Sequence, residues 1–324
     1  MIKTMLKIAV AATILVLIAR RVDFSAALGL MRGADPYWIA ASIAVSLLII
    51  AADAAFWSGS MRPAGLTMKF RTGLLFGIVS WFFVNIAPST IGADVFRAAQ
   101  MRAAGATTAR SIRLVAAARL MSFVALIAVI GAGLPIAFEA FDSPRDRLAL
   151  AAIFAVSLIC LAGLILGGPL LGKAPARFRR GPLAFAAELS ADTRLLLRRT
   201  GPKGWFFLLV QHLLRFAGVL CIAASLGEKV DAAALFALVP SAFLAAMIPI
   251  SFGGWGVREA SFVYFLGVAG IDAPAALAIS ILFGLTRILI GGAGGLLWLI
   301  ARKEHFSVGL EAGAGAADDV RTTS

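Results

Sequence analysis

Histidine and cysteine are almost missing from this chain, with two of each in 324 residues. His212 and His305 lie far apart, Cys160 and Cys221 sit singly inside apolar runs, and no Cys-x-x-Cys occurs. That set assembles neither a metal centre nor a disulfide framework, and a lone cysteine in an apolar run acts as a small hydrophobe. A nucleophile elbow, a phosphate-binding glycine loop and a histidine-based triad are absent too, so neither enzyme chemistry nor a cofactor is expected. Acid is the other scarcity. There are 17 Asp and Glu against 30 Lys and Arg, a net charge of +13, and charged residues make up only 15% of the chain. With 61% apolar residues and a mean hydropathy of +0.94, an ordinary soluble domain is excluded. The basic excess does not mark a nucleic-acid binder either. Its residues fall mostly in short loops between apolar runs, the pattern that orients a membrane protein.

Apolar runs cover roughly 4–19, 37–57, 71–87, 112–137, 148–171, 204–226, 232–250 and 274–300. Lys3 and Lys7 before Ile8–Ala19 imitate a secretory signal, but Arg20-Arg21 directly after that stretch argues for a retained first span. Residues 306–324, rich in Gly, Ala, Asp, Thr and Ser, read as a disordered tail behind a membrane domain of residues 1–305. The loop 172–203 is the one sizeable insert. Its segment Leu183–Leu197, flanked by arginines, predicts an amphipathic helix on the inner leaflet.

Two segments between the runs repeat each other. Pro88-Ser-Thr-Ile-Gly92-Ala-Asp94-Val-Phe-Arg97 and Pro249-Ile-Ser-Phe-Gly253-Gly-Trp-Gly-Val-Arg258 share Pro, a hydroxyl at +2, Gly at +4 and Arg at +9. Proline removes a backbone donor and glycine loosens the chain. Such backbone at membrane depth survives only inside protein or beside a water-filled cavity. Folding 71–105 and 232–269 back as re-entrant hairpins places most loop lysines and arginines on the inner side, as the positive-inside rule requires. The first hairpin then enters from the cytoplasm and the second from outside, an inverted repeat with both chain termini cytoplasmic. The expected fold is an all-α integral membrane protein of about eight apolar helices with two broken re-entrant hairpins.

Ionisable residues inside spans cost about 2.5–3.5 kcal/mol on insertion scales, so they face a cavity or a partner. Asp94 and Arg97 share a helix face, whereas the adjacent Arg258 and Glu259 diverge by about 100°. Cross-pairing of the hairpins is therefore expected, Asp94 with Arg258 and Glu259 with Arg97. Helix N-termini after the two breaks are candidate anion sites. Asn85, one turn before Pro88, is placed to satisfy carbonyls freed by the break. Arg119, Arg215 and Arg287 lie within spans, with Gln211 and His212 one turn before Arg215. Asp53 reads as a boundary residue or a partner for such an arginine. So many guanidinium groups against few acids call for an anionic guest. The tryptophans at 38, 57, 81, 205 and 298 near run ends read as an interfacial belt.

At Asn85–Arg97, at Pro249–Glu259 and in the stretch 270–284, the chain resembles the lysylphosphatidylglycerol synthase transmembrane-region, or flippase-like, family. The resemblance implies a bacterial inner-membrane protein related to a module that moves lysyl-phosphatidylglycerol between leaflets. Family members often carry Glu-Arg and then Asp early in the span after the first motif. Here Arg119 remains, but Ala118 and Ser122 occupy the acidic positions. The aminoacyl-transferring domain of the full synthases has no counterpart in this sequence, so lipid aminoacylation is not implied. The expected function is translocation of an anionic phospholipid or of a polyprenyl- or hopanoid-type lipid. The lipid-binding or gating set is Asn85, Pro88, Gly92, Asp94, Arg97, Arg119, Arg215, Pro249, Gly253, Arg258, Glu259 and Arg287. The alternative is a scaffold for a lipid-pathway enzyme that docks on the basic 173–203 loop.

Overall fold

The computed structural model describes residues 9–10, 12–14, 16–17, 20, 22–86, 91–168, 181–247, 255–300 and 310–312. Much of the expected first span, the turns around Pro88 and Pro249, and most of the tail lie outside the described residues.

A short helix α1 (Phe24–Arg32) begins where the Asp23 carboxylate accepts the Ser25 and Ala26 amides. Next comes α2 (Pro36–Ser60), with Asp35 as cap and proline in its first turn. A 3₁₀ turn (Arg62–Ala64) and a strand β1 (Leu66–Met68) lead to α3 (Phe70–Ile86) and α4 (Gly92–Ala103). Then follow α5 (Thr108–Ala140), α6 (Pro144–Leu166), α7 (Pro182–Arg199), α8 (Pro202–Ser225), α9 (Ala232–Ala246), α10 (Val257–Val268) and α11 (Ala273–Ile300). Within the expected tail, β2 (Leu310–Ala312) pairs antiparallel with β1, Leu66 opposite Ala312.

The protein is all-α apart from that ribbon. Five of the described helices, α2, α5, α6, α8 and α11, are long and apolar enough to cross a membrane. The α5 helix, with 33 residues, is ~50 Å long and outruns a hydrocarbon core of ~30 Å. In contrast α3 and α9, with 17 and 15 residues, reach only ~22–26 Å. Each packs against the shorter helix that follows it, α3 on α4 and α9 on α10. These two pairs of packed helices occupy the ranges 71–105 and 232–269.

α2 lies alongside α8, and the Ser42 hydroxyl donates to the Gly218 carbonyl across them at 3.3 Å. α11 lies against α3 at van der Waals closeness, because a Cβ at Gly294 would run into the Ile78 carbonyl. One aromatic cluster joins Phe243, Phe262 and Phe283 beneath the second helix pair. The expected leaflet helix is α7. Leu189 and Leu196 of its apolar residues are buried against protein where α7 packs on α5, while Leu183 and Leu195 stay exposed. Arg113 on α5 holds it through Glu188 at 2.6 Å and Asp192 at 2.9 Å. An amphipathic stripe seeks any apolar cover, and here α5 supplies part of it.

Candidate functional site: a central arginine-lined cavity

The helices enclose a cavity of about 280 Å³, and five arginines line it. Arg97 comes from α4, Arg119 from α5, Arg215 from α8, Arg258 from α10 and Arg287 from α11. Asp53 on α2 and Asp94 on α4 face the same space. Apolar walls come from side chains such as Ile49, Phe56, Leu126 and Phe283. Five residues expected to act together from positions 97 to 287 in the chain thus meet in one place.

Their pairing differs from the expectation. Asp94 does not bond Arg258, and Glu259 does not bond Arg97. Arg97 pairs with Asp53, and Arg119 pairs with Asp94. The two charges on α4 therefore tie it to α2 on one side and to α5 on the other. Arg258 pairs with its chain neighbour Glu259, Nη2 to Oε1 at 2.5 Å and Nε to Oε1 at 3.0 Å. The divergence of adjacent side chains is overcome in the first helical turn. Glu259 folds back so that its Oε2 accepts the Gly256 amide at 2.6 Å, and the long arginine swings to the other oxygen. Gly256 sits at φ 85°, left-handed backbone that glycine adopts without strain. One amide at this N-terminus, that of Gly256, is thus met by the protein's own carboxylate.

Arg258 fits because position 284 is glycine, where a Cβ would meet its guanidinium, and it lies 4.5 Å from the Trp255 ring centre. Arg97 sits 5.0 Å above Trp57 and Arg287 5.8 Å from Trp81. Trp57 is buried, and both Trp57 and Trp81 line the cavity. The signal for Trp57 was its place four residues after Asp53, one turn along the same face.

His212 bridges α5 and α8. Its Nε2 is 3.0 Å from the Ser122 carbonyl, and its Nδ1 is 3.2 Å from Arg215 Nη1. A carbonyl only accepts and a guanidinium only donates, which assigns Nε2 as the protonated nitrogen and Nδ1 as acceptor. Ala118 and Ser122, which stand where the family often has acids, both line the cavity. Asn85 does not line it. Its Nδ2 donates to the Arg287 carbonyl at 3.1 Å, so it braces α11 across 202 positions of chain. Gly92 opens α4 beside the cavity residue Ala93. Pro88, Pro249 and Gly253 lie outside the described residues.

Among the described residues, no carboxylate comes within ion-pair distance of Arg215 or Arg287. Arg287 is instead within electrostatic reach of Arg258 and Arg215, both positive, with Glu259 the sole acid among its influences. Five arginines against Asp53, Asp94 and Glu259 leave two positive charges in excess at the cavity.

The family model for the lysylphosphatidylglycerol synthase TM region matches residues 4–295. The chain belongs to this family. All five arginines that line the cavity fall inside the matched range, so the lysylphosphatidylglycerol synthase TM region supplies the cavity's charge. No curated protein matches the chain.

Proposed function

We propose that this lysylphosphatidylglycerol synthase TM-region protein takes the headgroup of an anionic lipid into the arginine-lined cavity and moves it across the membrane. The tails, whether acyl, polyprenyl or hopanoid-like, stay in lipid. One observation carries the reading: Arg215 and Arg287 face the cavity with no carboxylate of the described residues in ion-pair range. An uncompensated buried charge costs several kcal/mol, and a visiting anion removes that cost.

The two pairs on α4 supply a gate. A phosphate or carboxylate that competes for Arg97 or Arg119 releases Asp53 or Asp94, and α4 loses its ties to α2 and α5. Arg258–Glu259 is an ion pair within one helix, so this gate works between a hairpin and the wall. Rocking of one hairpin unit against the other then exposes the headgroup alternately. The positive-inside distribution favours a bacterial inner-membrane orientation with cytoplasmic termini. A concentration gradient, the membrane potential or a partner enzyme of the lipid pathway supplies direction, and no catalytic step is required of this chain.

The test uses purified protein in phosphatidylcholine vesicles that carry fluorescent phosphatidylglycerol, with a membrane-impermeant quencher outside. Transport makes the inner-leaflet fluorescence quenchable, and Arg215→Ala abolishes the effect while the fold survives. A stable inner-leaflet fraction with the wild-type protein removes the proposal, and a chemically altered lipid in the same vesicles replaces it with an enzymatic role.

A further inference from the structure

Besides the two uncompensated arginines, the cavity wall holds two polar groups with nothing to bond. The Nε2 of Gln211, a residue 4% exposed, has no hydrogen-bond partner, and neither does the hydroxyl of Ser80, 1% exposed. Both residues line the cavity. A buried donor left idle costs about 1–3 kcal/mol, so such groups mark a place where something else bonds. Gln211 lies one turn before Arg215 on α8, so the two share a face. Arg287 lies within electrostatic reach of Arg215 and stands over Trp81, the chain neighbour of Ser80.

We infer that Arg215, Arg287, Gln211 and Ser80 form a phosphate subsite. The inference rests on the lipid reading above only in assigning the phosphate to a lipid headgroup. Two guanidinium forks, a carboxamide and a hydroxyl, carried on α3, α8 and α11, offer donors from three helices. A carboxylate presents two oxygens in one plane and leaves part of that set idle. A phosphate presents a tetrahedral arrangement of acceptors and uses it. A headgroup that carries no phosphate or other anion gains nothing at two unneutralised arginines. The pairs Asp53–Arg97 and Asp94–Arg119 lie outside the subsite, which separates the groups that hold the ligand from those that gate it.

Binding to the full-length protein in detergent micelles tests this by calorimetry with four probes. These are dioctanoyl phosphatidic acid, dioctanoylglycerol with the same tails, decanoate, and inorganic phosphate. Phosphatidic acid is expected to bind at least about tenfold more tightly than dioctanoylglycerol or decanoate, the worth of a charge-assisted bond. Arg215→Gln and Arg287→Gln each remove about tenfold of that affinity, and dioctanoylglycerol binding does not change. Gln211→Leu deletes an idle group, so it folds at least as well as the wild type, yet it loses severalfold in phosphatidic acid affinity. Unchanged affinity in Gln211→Leu and Arg215→Gln, or equal binding of decanoate, overturns the subsite. Inorganic phosphate bound as tightly as the lipid, with the same arginine dependence, upholds the subsite and makes the free anion its ligand. Arginine-dependent binding without scrambling likewise upholds the subsite while the transport reading falls.

Discussion

Glu259 is 0% exposed, yet both of its oxygens are engaged: one by Arg258 and the other by the Gly256 amide, with the Ser280 hydroxyl 3.4 Å from the first. Arg258, 5% exposed, spends its charge entirely inside the protein. Removal of one partner strands the other, so Arg258→Met is expected to cost about 3–5 kcal/mol in unfolding free energy. The double variant Arg258→Met/Glu259→Gln removes both charges and is expected to recover a large part of that loss. Denaturant unfolding in detergent reads both, and a double variant no better than the single one contradicts the pairing. At this scale the sequence was partly readable. The cost of burying charge picked out the arginines and directed them to one cavity, and Asp53 was recognised as an arginine's partner. Which acid serves which arginine was not readable, because a long side chain in the first helical turn can reverse the direction its Cβ sets.

The helices themselves were legible to within a few residues, since runs such as 204–226 and 274–300 match α8 and α11 closely. Their contacts were less so. A stripe of leucines on α7 says that something apolar covers it and not that the cover is α5. The approach of α11 to α3 depends on glycines that in the sequence look like ordinary residues of a membrane span. Gly294 meets a backbone carbonyl, which cannot rotate away as a side chain can. Gly294→Ala is therefore expected to cost about 1–3 kcal/mol by overpacking and to lower the thermal midpoint. Gly292→Ala, with open space at its Cβ, is the control and should be neutral or slightly stabilising. Equal midpoints for the two variants would mean that α3 and α11 stand farther apart.

Over the whole molecule, the two hairpin units are each built from one longer and one shorter helix, and both deliver arginines to the common cavity. Opposite insertion of the two units is what the positive-inside rule proposes for this charge distribution. It predicts that Thr108 and Asp272, both exposed at helix starts, lie on opposite faces of the membrane. With Cys160 and Cys221 replaced, Thr108→Cys should react with an impermeant maleimide only from the cytoplasmic face and Asp272→Cys only from the outer face. Labelling of both from one side removes the inverted arrangement.

The uncompensated guanidinium groups also have an electrical consequence. A pocket of this charge is a polar inclusion in an insulating slab, and voltage falls across insulator rather than across polar matter. The field that elsewhere spreads over the full hydrocarbon thickness is compressed into the thinner apolar barrier left above and below the pocket. A singly charged anion that crosses there still exchanges about 2.3 kcal/mol with each 100 mV, but it does so over a shorter path. In a cell with a negative interior, that drop pushes anions outward, so resting voltage alone would give the passage a preferred sense.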